Sequence, residues 1–190
     1  PGTVTLNTSP ANHQKKLGLL KRRLRCANLK TKLHAYQALI RPSLEYASTI
    51  WHPHTAMLSD MLESVQNKAA RFITSCHSRH QSVTCLKRSL NLPLLATRRK
   101  LSRLCFFHSL YHSDSSFSRS FIHPAPYVSD RVGHAHKVNP IYSRTKKYQF
   151  SPLLLSINEW NALPSNIVAI TEPSLFQSAV LTYLEVDNNL

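Results

Sequence analysis

The chain has 190 residues, 42% of them hydrophobic, enough for one medium domain or one domain with appendages. Only 3 Gly against 11 Pro exclude Gly-rich phosphate loops and argue against a turn-dense β protein. The net charge of +15 is confined to residues 1–110, which carry 18 Lys and Arg against 3 acids, whereas residues 111–190 carry 6 of each. The first part is therefore suited to a polyanion and the second is not.

The order of predicted elements is mainly α-helical. Residues 1–12 are polar and read as a connection, and a chain that opens on Pro in mid-segment is expected to be a piece of a longer polypeptide. From His13 to Ala27, Leu17, Leu20 and Leu24 make a narrow apolar stripe beside Lys15, Lys16, Lys21, Arg22, Arg23 and Arg25, a basic amphipathic helix. Asn28 or Thr31 is a suitable cap for the next helix. Within Leu33–Trp51 the apolar positions Leu33, Tyr36, Leu39, Ile40, Leu44, Ala47, Ile50 and Trp51 keep helical spacing across a kink at Pro42. Thr55 caps a helix over about Ala56–Ser75, with Leu58, Leu62, Val65, Ala69, Phe72 and Ile73 inward.

A short helix over Ser82–Ser89 and a turn at Asn91-Leu92-Pro93 lead into a long helix from about Leu94 to His112. Its apolar side holds Leu95, Leu101, Leu104, Cys105, Phe107 and Leu110, and Arg98, Arg99, Lys100 and Arg103 are expected on a basic face. Residues 113–150 turn to Ser, His and Pro without periodicity and read as an irregular linker, with Lys146–Phe150 a short strand or extended segment. Residues 151–190 are expected as a small helical tail, started by Pro152 and ended by a helix over Ser174–Leu184. The expected division is 1–12, 13–112, 113–150 and 151–190.

Candidate chemistry is sparse. The nine acids, Glu45, Asp60, Glu63, Asp114, Asp130, Glu159, Glu172, Glu185 and Asp187, include no adjacent pair to hold two divalent metals. Cys76, His80 and Cys85 have three parts of a zinc-knuckle spacing, and Cys105, His108 and His112 share a helix face, yet neither group supplies four ligands. The four cysteines, Cys26 included, form no CxxC pair and no signal peptide precedes them, so a reduced intracellular setting is expected. No apolar run approaches the ~18 residues of a membrane span, and no membrane partner is expected. Tyr36, Tyr46, Trp51, Phe106 and Phe107 have the chemistry to stack on bases. At helical spacing such residues belong more often to a core, and Tyr46, Trp51 and Phe107 are assigned there. Trp160 is expected to anchor the C-terminal segment.

Several blocks carry a resemblance. RPSLEYASTIW (41–51), LESVQNKAARFI (62–73), SRHQSVTCL (78–86), LNLPLLATRRKLSRLCFFHSLYH (90–112) and SPLLLSINEWNALPSNIV (151–168) stand in order. Together they resemble the thumb and downstream part of reverse transcriptases from non-LTR (LINE-type, Jockey-like) retrotransposons. That resemblance spans roughly Leu17–Leu184. It implies a helical thumb at 13–112 that grips template–primer nucleic acid, an RNA–DNA hybrid or DNA, through its phosphates. It also implies upstream palm and fingers as partners within one polypeptide, and a nuclear and cytoplasmic location. The catalytic palm with its divalent metals lies upstream in that family, so no catalytic residue and no cofactor are expected in this chain. The phosphate-contacting candidates are Lys21, Arg22, Arg23, Arg25, Lys30, Lys32, Arg98, Arg99 and Lys100. A second expectation is a non-enzymatic helical interaction module derived from a degenerate element.

Overall fold

A computed structural model describes residues 10–46, 48–49, 53, 55–76, 78, 80–128 and 133–187. The fold is mainly α. Two compact units emerge, Pro1–Tyr46 with Thr55–Arg98, and Ala47–His54 with Arg99–Leu190. The division thus falls near the start of the long helix rather than after residue 112.

The first unit comprises α1 (Pro10–Arg23), α2 (Leu29–Leu39), α3 (Arg41–Glu45), α4 (Ala56–Ile73), α5 (Val83–Ser89) and the opening of α6 (Leu95–Tyr111). The caps follow from the sequence: Asn28 accepts from the Thr31 amide at 2.8 Å and Thr55 from that of Leu58 at 3.4 Å. The helix α4 packs against α1, α2 and α5, burying Leu62, Val65, Ala69, Ala70, Phe72 and Ile73 beneath Leu17, Leu20, Tyr36, Leu86 and Leu92. Two helices end on a residue in the left-handed region, Ser75 and Asn91, both at φ 53°. At each, the next amide reaches back over a full turn, Cys76 to the Arg71 carbonyl at 3.0 Å and Leu92 to that of Lys87 at 2.9 Å.

Pro42 does not merely kink one helix, as expected, because α2 and α3 are separate helices with Ile40 between them. Ile40 closes α2 through the Tyr36 carbonyl at 3.0 Å and opens α3 by accepting from Leu44 at 3.1 Å. The helix then stops at Glu45, because Tyr46 turns to ψ 133°. Tyr46 is 62% exposed, so its assignment to the core is corrected. The chain leaves the helix before that ring would come round to the buried side. Trp51, also assigned to the core, lies outside the described residues.

The second unit holds the remainder of α6 with α7 (Ser116–Phe121), α8 (Lys146–Gln149), α9 (Pro152–Asn161), α10 (Ser165–Val168) and α11 (Pro173–Asp187). Its core gathers Leu104, Phe107, Val138, Ile157, Trp160, Leu163, Phe176 and Val180 around Trp160. The Trp160 ring lies 5.3 Å from that of Phe107, 5.0 Å from Tyr111 and 5.8 Å from Phe176, centroid to centroid. Residues 113–150 are no mere linker. Pro124 and Val138 form an isolated antiparallel bridge, flanked by Ala125 donating to Lys137 at 2.9 Å and Asn139 to His123 at 2.8 Å. Val138 is buried, and Asn161 clasps its backbone on both sides, accepting from the amide at 2.9 Å and donating to the carbonyl at 2.7 Å. One amide side chain thereby does the work of a neighbouring strand. The segment expected as a short strand or extended segment at 146–150 instead holds the helical turn α8, with Gln149 donating to the Thr145 carbonyl at 2.9 Å.

Candidate nucleic-acid interface

The nine cationic candidates divide by environment. Arg22, Arg23, Arg25 and Lys30 are exposed, while Lys21, Arg98 and Lys100 are half-buried. Lys32 is 5% exposed and Arg99 3% exposed. Lys32 is occupied within the first unit: its ammonium donates to Ser75 Oγ at 2.8 Å and lies 5.1 Å from the centre of the Phe72 ring. It braces the end of α4, and its place among the phosphate contacts is withdrawn.

The basic face expected on α6 does not exist as a solvent face. Within the first unit Arg98 engages Glu45 with both guanidinium edges, Nη2 to Oε2 at 3.1 Å, and Arg41 approaches the same carboxylate at 3.8 Å. The hydrogen bond to Glu45 raises the Arg98 pKa, offset in part by burial. Within the second unit Arg103 is buried and pairs with Glu159, Nε to Oε2 at 3.2 Å. These cations are committed to internal carboxylates. Arg98, held by Glu45, and Arg99, which is buried, are set aside as phosphate contacts, and Lys100 stands without its expected cationic neighbours.

What survives is a cluster at the α1–α2 turn. Arg22, Arg23, Arg25 and Lys30 fall within nine residues, all exposed. Lys21 beside them has its pKa lowered, first by burial and then by the charge of Lys68 on α4. That repulsion extends the positive region onto α4, where Lys68 is exposed. Sequence reasoning placed Lys68 outside the buried stripe but did not connect it with Lys21, because their proximity arises only when α1 packs on α4.

Part of the cluster has a purely local role. Lys21, Arg22 and Arg23 occupy the last turn of α1, where cations offset the negative end of the helix dipole. Lys30 is different. It sits in the first turn of α2, which contains no acid, where a cation opposes the dipole. Nothing in helix stability calls for a Lys there.

Polar side chains tie each unit together internally. Glu63 and Gln66, one turn apart on α4, reach the start of α6. Glu63 Oε2 accepts from the Leu95 amide at 3.1 Å while Oε1 accepts from Lys87 at 2.7 Å. Gln66 donates to the Pro93 carbonyl at 2.9 Å and accepts from the buried Tyr36 hydroxyl at 2.9 Å. In the second unit, the Trp160 indole donates to the His136 carbonyl at 3.0 Å, Leu163 is buried, and Pro164 caps α10.

Among the described residues, no three His, Cys, Asp or Glu side chains gather where they could hold a metal ion. Cys76 donates to Gln81 Oε1 at 2.7 Å, and His108 donates to the Ile170 carbonyl at 2.7 Å while stacking on Phe176 at 4.2 Å. No described helix is long and apolar enough to cross a membrane. No family model matches the chain, and no curated protein or solved structure does either.

Proposed function

We propose that the chain is the thumb and C-terminal region of an RNA-directed DNA polymerase of the non-LTR retrotransposon type. It lacks the catalytic palm and holds the template–primer duplex by its phosphates. The observation that carries the proposal is the exposed group Arg22, Arg23, Arg25 and Lys30, with Lys30 set against the helix dipole. The ordered family-like blocks give it its particular form. Contacts of this kind fix a duplex in register without reading bases. The divalent metals of the polymerase reaction belong to the upstream palm, and no cofactor is assigned to this chain. Its partners are the hybrid duplex and the upstream palm and fingers, and its setting is nuclear and cytoplasmic.

The test is binding of an RNA–DNA hybrid against salt, for the parent and for a variant with Arg22, Arg23, Arg25 and Lys30 all changed to Gln. On B-form DNA each phosphate contact contributes about 0.9 to the slope of log K against log salt. The variant should lose about 3.6 from that slope and keep the parent's melting temperature. A parent that binds no duplex at low salt, or a variant that binds as well as the parent, refutes the proposal.

A second reading, a non-enzymatic interaction module, draws on the exposed apolar side chains Leu39, Met57 and Met61 in the first unit. It predicts that changing these to polar residues abolishes capture of a protein partner and leaves duplex affinity unchanged.

A further inference from the structure

Residues 111–190 are electrically neutral as a whole but not in detail. Between Asp130 and Glu159 there is no acid, and Arg144, Lys146 and Lys147 place half of the six cations of residues 111–190 within one short run. Aromatic residues are interleaved with that run: Tyr142 is 86% exposed, Tyr148 51% and Phe150 37%. Arg144 is exposed as well. Exposed rings alternating with cations are the composition of surfaces that hold unpaired nucleic acid, where bases stack and cations follow the backbone.

Of these residues Tyr142 also lines an open groove of about 320 Å³, together with Ile141, Ser143, Gln149, Leu154, Asn158 and Pro140. That volume lies at the low end of small-ligand sites, ~300–1,000 Å³. No lining residue carries a charge, so the groove suits a neutral group and not a phosphate. It offers one aromatic ring, aliphatic walls, two primary amides and a hydroxyl. The amides of Asn and Gln pair in two-pronged fashion with the donor–acceptor edge of a base. A flat heterocycle with polar edges matches this set. A base paired and stacked inside a duplex presents neither its face nor its Watson–Crick edge.

We infer that residues 140–158 form a seat for single-stranded nucleic acid, in which an unpaired base enters the groove beside Tyr142 and a flanking phosphate meets Arg144. This rests on the proposal that the chain binds nucleic acid, but it names a separate site and a different substrate class from the duplex held at the α1–α2 turn.

The experiment uses the full chain and two fluorescent probes, a 12-nucleotide single-stranded RNA and an RNA–DNA hybrid. Three proteins are compared: the parent, a Tyr142→Ala/Tyr148→Ala variant, and the four-Gln variant of the α1–α2 turn. Both tyrosines are exposed, so the double variant should keep the parent's circular dichroism and melting temperature. Losing the stacking platform should weaken single-strand binding by about tenfold or more and leave hybrid binding unchanged. A 4-thiouridine probe should crosslink to the peptide containing residues 140–150, and Asn158→Ala should reduce that crosslink. Equal single-strand affinity in parent and double variant overturns the inference, as does a loss shared equally by both probes. Failure of the duplex proposal is distinguishable, since it appears as a parent that binds the single strand but not the hybrid. Tighter binding of a neutral aromatic peptide than of the RNA, with the same dependence on Tyr142, would make the groove a peptide seat and also overturn the inference.

Discussion

Replacing Trp160 by Phe tests whether the second unit is organised around that ring. The side chain is fully buried, and its indole N–H donates to the His136 carbonyl at 3.0 Å. Phe keeps a ring for Phe107, Tyr111 and Phe176 to pack against but forfeits the hydrogen bond, worth about 1 kcal/mol net. It also leaves a void on the order of 40 Å³, which at ~24 cal/mol per Å³ costs about 1 kcal/mol more. The sum, about 2 kcal/mol, should lower the melting temperature of a unit of this size by roughly 8–16 °C. Trp160→Ala should cost ~3–5 kcal/mol, a large part of a typical domain's ~5–15 kcal/mol. Urea titrations followed by far- and near-ultraviolet circular dichroism measure both. A Phe variant that melts within ~2 °C of the parent, against the ~4–8 °C expected per kcal/mol, would show that neither the hydrogen bond nor the packing around Trp160 matters as described.

Gln66→Ala should destabilise by about 2–4 kcal/mol, because it strands the Tyr36 hydroxyl and the Pro93 carbonyl together; Tyr36→Phe, which strands only one amide oxygen, should cost clearly less in the same denaturant assay. At Asn91, in the left-handed region at φ 53°, Gly should be tolerated within ~0.5 kcal/mol, whereas Val should cost about 1–2 kcal/mol by thermal melting. The pKa values of His112 and His134 are depressed, chiefly by burial; neighbouring imidazoles add to it, and for His134 the bond to the Trp160 carbonyl opposes it while the charge of Lys137 adds to it. His134 donates from Nε2 to that carbonyl at 3.2 Å, and its buried Nδ1 has no partner among the described residues. As the pH falls below about 6.5 the unfolded chain takes up these protons before the folded one, so stability should decline from there towards the folded-state pKa values. Urea midpoints at pH 7.5, 6.0 and 5.0 should fall in that order, and a flat series would remove His112 and His134 from the account.

Periodicity and capping chemistry made most helices legible. Asn28, Thr55 and Pro152 each open a helix where their local chemistry said they should. Local rules failed where a distant partner decides a side chain's fate. Arg98 and Arg103 read as solvent-facing because helical spacing cannot reveal Glu45 or Glu159, more than fifty residues away in sequence. Lys32 failed for the same reason, its partners Phe72 and Ser75 lying on another helix. Residues 133–139 have no periodicity because they are held by the side chains of Trp160 and Asn161, not by a repeating ladder. The four exposed cations at the α1–α2 turn were legible because exposure at a helix end needs no partner.

The spacing of these ties also sets a timetable on the ribosome. Every polar contact named for the first unit joins residues no later than 98, so its partners are all synthesised by then. The second unit waits longer. Phe107 and His108 on α6 need Trp160, Ile170 and Phe176, which follow roughly 3–14 seconds later at ~5–20 residues per second. For those seconds Phe107 and His108 lack these partners within their own chain. It is the interval in which a nascent chain of this design needs a chaperone most.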